Sequence, residues 1–263
     1  VPELADFLSL ISGALVGLVL GLIGGGGSIL AVPLMVYVVG VDDPHVAIGT
    51  SAAAVGATAF ANMIHHWRLG TVKWGCALAF AASGVAGAMG GSTLGKMTDG
   101  EALLSLFGVA MIAVGLAMLR KRKGGEDAGV YLCRDTAGRL LPRLIASGLL
   151  VGALSGFFGI GGGFLVVPGL VASTAMPILN AVGSSLVSVT AFGSTTAANY
   201  ALDGLVDWRI AGLFVLGGMI GGLGGALLAR RLGQGKETLK RIFSAVVIGV
   251  GLFVAGHGAS AFI

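Results

Sequence analysis

The chain has 263 residues, 56% of them hydrophobic and 11% charged, with 48 glycines and a formal net charge of +4. An ordinary soluble domain is roughly a quarter charged, so this composition excludes a soluble globular protein and identifies a membrane protein, with several apolar runs near the ~20 residues that cross a bilayer. No nucleic-acid partner and no cofactor is expected, and Cys76 and Cys133, far apart and without metal-type spacing, indicate neither a disulfide framework nor a metal site.

The opening VPELADF carries Glu3 and Asp6 but no basic residue, so the first apolar stretch lacks the positive flank of a signal peptide and is read as part of the mature protein. That stretch runs from about residue 7 to 39. As one helix it would be roughly 50 Å long against a hydrocarbon core of ~30 Å, so it must fold back on itself. The fold point is written in GLIGGGGSILAVP, Gly21 to Pro33: Gly24, Gly25, Gly26 and Gly27 divide it into an outgoing arm of about 16 residues and a return arm of about 12, which begins near Ser28. Apolar stretches at about 46–66, 74–95 and 102–119 follow as three spans. The first of these carries Thr50 and Ser51, with Ser51, Thr58 and Asn62 spaced by seven and four on one helical face. In the next, Gly87, Gly91 and Gly95 keep the four-residue spacing of a helix contact.

A basic connection at 120–143 then separates a first repeat, 1–119, from a second, 144–263. The second copy repeats the first at an offset of 134 to 135 residues. GFFGIGGGFLVVP at Gly156 answers GLIGGGGSILAVP, VGSS at Val182 answers IGTS at Ile48, and Trp208 answers Trp74. Its break is marked by Gly159, Gly161, Gly162 and Gly163, its hydroxyl pair is Ser184 and Ser185, and Ser188, Thr195 and Asn199 continue the polar face. Gly217, Gly221 and Gly225 repeat the helix-contact spacing.

Residues 120–143 hold seven basic groups against three acids, and 230–241 hold five against Glu237 alone, so both connections are expected on the cytoplasmic side. The first connection follows the last span of its copy, whereas the second precedes the last span of its own. Carried along the chain, this places 14 basic residues inside, two outside, and both termini outside. The expected fold is an all-α polytopic membrane protein of two inverted repeats, each a glycine-broken helical hairpin plus three transmembrane helices, about 8–10 helical segments in all. Full crossings and re-entrant half-helices both satisfy the pattern.

Broken backbone at membrane depth is tolerated only where it is buried in protein or lines a cavity, and two breaks entering from opposite faces can build a midplane site. Helix N-termini beside glycines favour an anion. The expected binding set is therefore Gly24 to Ser28, Gly159 and Gly161 to Gly163, with Thr50, Ser51, Thr58, Asn62, Ser184, Ser185, Ser188 and Thr195 offering uncharged hydrogen bonds. The competing reading makes the glycines packing residues and the hydroxyls polar glue between helices. No Asp, Glu, Lys or Arg is expected within a span, which argues against a cation carrier. GIGGGF, Gly159 to Phe164, lacks the strand and ribose acid of a nucleotide fingerprint.

The chain resembles the TauE/SafE family of sulfite exporters, also called the sulfite/organosulfonate permease family. The resemblance covers nearly the whole chain and is carried by GLIGGGGSILAVPLM, AIGTSAAAVGATAFAN and HWRLGTVKW, then by GFFGIGGGFLVVPGL, AVGSSLVSVT and YALDGLVDW. It implies a multi-pass carrier of the bacterial inner membrane, moving sulfite, sulfonates, thiosulfate or a related small sulfur anion by alternating access. A coupling proton or sodium ion and a homodimer are compatible with the pattern without being required by it. The alternatives are a passive anion channel and a permease for another ion, a divalent metal included. An intramembrane serine protease built on Ser155 and His257 is disfavoured, because His257 falls near a helix end and Ser155 has Leu20 as its counterpart.

Overall fold

A computed structural model of the chain describes residues 2–23, 25–119, 131–132, 134–160, 163–231 and 236–260. The described residues contain helices and no strand. Helix α1 (Pro2–Ile23) is followed by a return arm at 25–39, in which a 3-10 turn (Gly25–Leu30) leads into α2 (Ala31–Leu34) and then a π-helical turn (Met35–Val39). Next come α3 (Pro44–Arg68), α4 (Trp74–Met97) and α5 (Gly100–Leu119). The second copy is α6 (Arg134–Phe158), the return arm α7 (Gly163–Thr174), α8 (Ile178–Ala201), α9 (Trp208–Arg231) and α10 (Lys236–Ser260). Among the described residues seven helices are long and apolar enough to cross a membrane, and the shorter apolar helices Gly27–Val39, Gly163–Thr174 and Ser244–Gly256 accompany them. The protein is an all-α polytopic membrane protein.

Both expected hairpins form. In the second, the Ser147 and Ser173 hydroxyls meet at 2.6 Å, fixing α7 alongside α6. The first return arm differs from expectation in starting as a 3-10 turn at Gly25 instead of an α-helix near Ser28. Helix α6 begins at Arg134, inside the stretch read as connection: Leu140 and Leu144 are buried while Arg139 and Arg143 are exposed, so one face packs although the other is charged. The connection between α9 and α10 shrinks to 232–235, and these residues, like 120–130, lie outside the described ones.

The helices pair by close backbone approach. Helix α1 lies on α9, where a Cβ at Gly13 would overlap Phe214 and one at Gly225 would overlap Leu18. Helix α4 lies on α6, where Gly87 faces Leu149 and Gly95 faces Phe157. In both pairs the residue numbers rise together, so the helices run parallel. Helix α3 lies on its own counterpart α8, with Gly49 beside Tyr200 and Gly56 beside Gly193, and α5 lies on α10, with Gly108 beside Ala255 and Gly115 beside Ile248. Here the numbers run in opposition, so these counterparts are antiparallel. Exchanging the two copies leaves these four pairs unchanged as a set.

The return arms fill the centre. Ile29, Ala31, Val32 and Met35 of the first and Val166 and Leu170 of the second are buried, and α7 packs directly on the Gly25–Leu30 turn. Large apolar side chains such as Phe7, Leu94, Leu150, Ile220 and Leu223 face outward, where lipid replaces water as their solvent.

Acid caps start three helices at one end of the bundle. Asp43 Oδ1 accepts from the His45 amide at 2.7 Å, Asp99 Oδ1 from Glu101 and Ala102, and Asp207 Oδ1 from Arg209 and Ile210. A carboxylate there satisfies orphan N–H groups and complements the helix dipole. An ion pair between Asp6 and Arg209 ties α1 to α9 at this same end.

Both return arms stop on a left-handed residue, Gly40 (φ 82°) and, 135 positions later, Ala175 (φ 59°). That conformation costs an alanine about 1 kcal/mol and a glycine much less. Ala175→Gly is accordingly expected to raise the thermal unfolding midpoint in detergent, whereas Gly40→Ala should lower it.

Candidate functional site

Two short connectors close the two ends of the α3–α8 pair, and they do so with matching atoms. At one end the 202–207 connector between α8 and α9 lies over the start of α3. The Asp207 amide donates to Thr50 Oγ1 at 2.9 Å, and the Leu205 carbonyl sits where a Cβ of Gly49 would be. At the other end the 69–73 connector between α3 and α4 lies over the start of α8. The Lys73 amide donates to Ser184 Oγ at 2.9 Å, and the Thr71 side chain sits against Gly183. Thr50 and Ser184, Gly49 and Gly183, Asp207 and Lys73, and Leu205 and Thr71 are four pairs at one offset of 134. Thr50 and Ser184 are fully buried and each is the seventh residue of its helix.

Each end adds its own reinforcement. At the Lys73 end the Asn180 side chain donates to the Thr71 carbonyl at 3.0 Å, and the His66 ring meets the Thr71 hydroxyl at 3.0 Å. At the Asp203 end Lys96 reaches from the last turn of α4 to the Asn199 carbonyl, the Asn199 side chain and the Asp203 carboxylate. The expectation that spans hold no Asp, Glu, Lys or Arg is corrected here: Lys96 belongs to α4, with its side chain only 16% exposed, and the apolar span Thr136–Phe158 contains Arg139 and Arg143. The Lys96 ammonium caps the Asn199 carbonyl in the last turn of α8.

The expected binding residues divide between these two ends and the helix interfaces. Ser51 Oγ donates to the Ile48 carbonyl at 2.9 Å with the Gly159 carbonyl 3.3 Å from the same hydroxyl, so it touches the second break directly. Gly159 itself is left-handed, with φ 66°, and a Cβ would overlap Ile48. Gly163 starts α7, directing the first amides of that helix back at the break. Gly25 and Gly26 lie in the 3-10 turn, a Cβ at Gly27 would press on Val16 and Leu20, and Ser28 is fully buried. Gly24, Gly161 and Gly162 lie outside the described residues. Ser185 donates to the Val182 carbonyl at 2.7 Å and Thr195 to the Ala191 carbonyl at 2.8 Å. The Thr58 side chain abuts Gly218 and the Asn62 amide abuts Gly222, which puts both at the α3–α9 interface. Ser188 is fully buried with no partner among the described residues.

Thr50 with Ser51 and Ser184 with Ser185 are therefore not gathered at one midpoint. Gly49 lies beside Tyr200, and from Ser184 to Tyr200 is 16 residues of α8, about 24 Å at the helical rise.

Two groups, Tyr200 and His45, escaped the sequence reading, and Asn199, read there as part of a polar face, turns out to join two helices. Asn199 donates to Ser92 at 2.6 Å and to Thr93 at 3.1 Å, tying α8 to α4. Tyr200 is fully buried and its hydroxyl has no partner among the described residues, and neither has His45 Nδ1. The available signal was position: Tyr200 ends α8 where His66 ends α3, each a polar ring under a connector. Of the disfavoured protease pair, Ser155 is fully buried without a partner among the described residues, and the His257 side chain lies outside them.

Residues 9–254 match the family model described as sulfite exporter TauE/SafE. A probable membrane transporter protein of Xylella fastidiosa strain 9a5c is 52% identical over 92% of each chain. The probable membrane transporter protein YunE of Bacillus subtilis strain 168 is 29% identical over 91% of this chain and 93% of its own. A probable membrane transporter protein of Haemophilus influenzae is 27% identical over 94% of this chain and 97% of its own. No solved structure matches the chain.

Proposed function

Starting from a chain that belongs to the sulfite exporter TauE/SafE family, we propose that it is a secondary transporter that carries sulfite or a related small sulfur anion, a sulfonate or thiosulfate, by alternating access across a bacterial inner membrane. The observation that carries this reading is the pair of equivalent connector latches, Thr50 with Asp207 and Ser184 with Lys73, closing opposite ends of one duplicated bundle. A carrier needs two barriers that open in turn, and a duplicated fold supplies the same barrier twice.

In this proposal the copies are inverted across the membrane. The antiparallel course of α3 against α8 and of α5 against α10 supports inversion, and the excess of Lys and Arg in 120–143 and 230–241 supports a cytoplasmic Lys73 end. The Asp203 end then faces outward. The anion moves between two half-sites, one at each helix break, instead of resting in a single central pocket. At the outer half-site Ser51 and the first amides of α7 offer hydrogen bonds; at the inner one the counterparts are Ser185 and the amides of Gly25 to Ser28. Uncharged donors suit an anion that must leave again, because they stabilise its charge without the desolvation cost of a buried fixed cation. Thr58, Asn62, Ser188 and Thr195 supply polar contacts along the helices between the half-sites.

The test is uptake into proteoliposomes of labelled sulfite and thiosulfate, with taurine and nickel for comparison, with and without a proton gradient. Saturable sulfur-anion flux is expected; nickel flux without anion flux would overturn the substrate assignment. Ser51→Ala combined with Ser185→Ala should weaken sulfite binding by roughly tenfold, the worth of one or two hydrogen bonds, without lowering the yield of folded protein. Unchanged affinity would remove these hydroxyls from the path.

A further inference from the structure

We propose that the Asp203 end carries a reception site for an oxyanion, built on the Lys96 ammonium, which the Asp203 carboxylate holds in this structure and the arriving anion takes over, and on the Tyr200 hydroxyl, which the carboxylate leaves unpartnered. The proposal rests on the anion-transport reading above and gives it an entry step.

Lys96 has three N–H donors, and three acceptors use them: the Asn199 backbone carbonyl at 3.0 Å, Asn199 Oδ1 at 3.0 Å, and Asp203 Oδ2. The first two are fixed, because Asn199 is itself clamped by Ser92 and Thr93. The third is exchangeable. The Asp203 side chain is 53% exposed whereas that of Lys96 is 16% exposed, so water already reaches the acid while the ammonium stays largely dry. A desolvated ammonium requires an anionic partner but does not dictate which one. An oxyanion replacing the carboxylate keeps the local charge balance and returns Asp203 to water, so the exchange avoids leaving a buried charge unpaired.

A second donor belongs to the adjoining residue of α8. Tyr200 follows Asn199, its ring centre is 6.0 Å from Lys96 Nζ, and its fully buried hydroxyl has no partner among the described residues. The hydroxyl lies against α4 one residue before Lys96, 3.1 Å from where a Cβ on Gly95 would be. The His45 ring, whose buried Nδ1 is also unpartnered, is 6.4 Å from the Tyr200 ring. Buried polar atoms without partners are rare in folded proteins. A ligand with several acceptor oxygens around one centre can engage an ammonium and a phenol at once, which a monatomic halide does less well.

Occupation has a mechanical consequence. Asp203 belongs to the 202–207 connector, and the same connector closes the end of the bundle through Asp207 on Thr50. Freeing Asp203 releases the connector from α4, while its backbone bonds to Tyr200 and Ala201 of α8 and the Asp207 bond to Thr50 remain. The matching position at the cytoplasmic end is Leu69, which has no carboxylate, so the device works from one side only.

The experiment is hydrogen exchange of the full chain in nanodiscs, following residues 202–207 and 69–73 with sulfite, thiosulfate or sulfate added at constant ionic strength. In the wild-type protein at least one of these anions should speed exchange in 202–207 and leave 69–73 unchanged. Asp203→Asn should exchange roughly tenfold faster in 202–207 without any anion and gain nothing further when one is added. Lys96→Gln should lose the anion response, and Tyr200→Phe should raise the anion concentration needed by roughly five- to tenfold. Slow, wild-type exchange in Asp203→Asn would overturn the proposal, as would a wild-type protein that responds to none of the three anions or exchanges more slowly with them. Because the acid is half-exposed, Asp203→Asn keeps the test valid even if Lys96→Gln fails to fold. Its anion-free exchange needs no substrate, so a protein that transports no sulfite but shows fast exchange in this variant would overturn the transport reading and leave the tether in place.

Discussion

Replacing Gly91 by leucine is expected to eliminate folded protein, whereas the same substitution at Gly90 is expected to leave it intact. Both glycines lie in α4, but a Cβ at Gly91 would overlap the Ala153 carbonyl of α6, and a Cβ at Gly90 meets nothing within 4 Å. The obstacle at Gly91 is backbone inside a helix, which cannot rotate aside as a side chain can. Separating α4 from α6 to admit the leucine would cost about 3 kcal/mol or more, a large part of the 5–15 kcal/mol that holds a typical protein folded. At Gly90 the leucine points outward on an exposed face, where lipid accommodates it. The second copy repeats the experiment: Gly225→Leu would strike the Leu18 carbonyl of α1, and Gly224→Leu meets open space. Size-exclusion profiles and thermal midpoints in detergent should sort the four variants into two tolerated and two lost. If all four behave alike, the α1–α9 and α4–α6 contacts are not what the glycines serve.

Thr50→Val and Ser184→Ala are expected to shift the transporter in opposite directions. Valine keeps the shape of threonine but cannot accept from the Asp207 amide, and alanine cannot accept from the Lys73 amide. Each loss destabilises one closed end by about 1–3 kcal/mol, the cost of leaving a shielded amide unpaired, which corresponds to roughly five- to 150-fold in the balance between closed and open. Thr50→Val favours the state open at the Asp203 end. Apparent affinity measured from that side should therefore rise and affinity from the Lys73 side should fall, because apparent binding scales with the competent fraction. Ser184→Ala should reverse both signs. Half-saturation concentrations measured separately from each face of oriented proteoliposomes decide the matter; shifts of one sign in both variants would show that these hydroxyls are not opposing latches.

Much of the architecture was legible in residue patterns. The length of 7–39 required a fold-back, GGGG at Gly24 and GIGGG at Gly159 located it, and the four-residue glycine spacings marked the interfaces on which α1 and α4 pack. The depth of the hydroxyl pairs was also within reach. Thr50 and Ser184 are each the seventh residue of their helices, about 10 Å from an end, and counterparts at that depth in antiparallel helices must lie at opposite ends. What local pattern does not encode is which helix lies beside which. Lys96 reads as a charge at the edge of a span, and only the packing of α4 against α8 turns it into a cap on Asn199 with Tyr200 beneath. The start of α6 at Arg134 was hidden for a related reason, since the arginines of its first turns outweigh in composition the few leucines that pack.

The central claim, that two equivalent ends open in turn around one anion path, is tested most directly by the efflux of labelled sulfite from proteoliposomes with and without unlabelled sulfite on the other side. Saturable efflux that accelerates when sulfite is present opposite is the expected result, because a loaded site returns faster than an empty one. Efflux that rises in proportion to concentration, carries an ohmic current and ignores the opposite side would contradict alternating ends and identify an open anion pore.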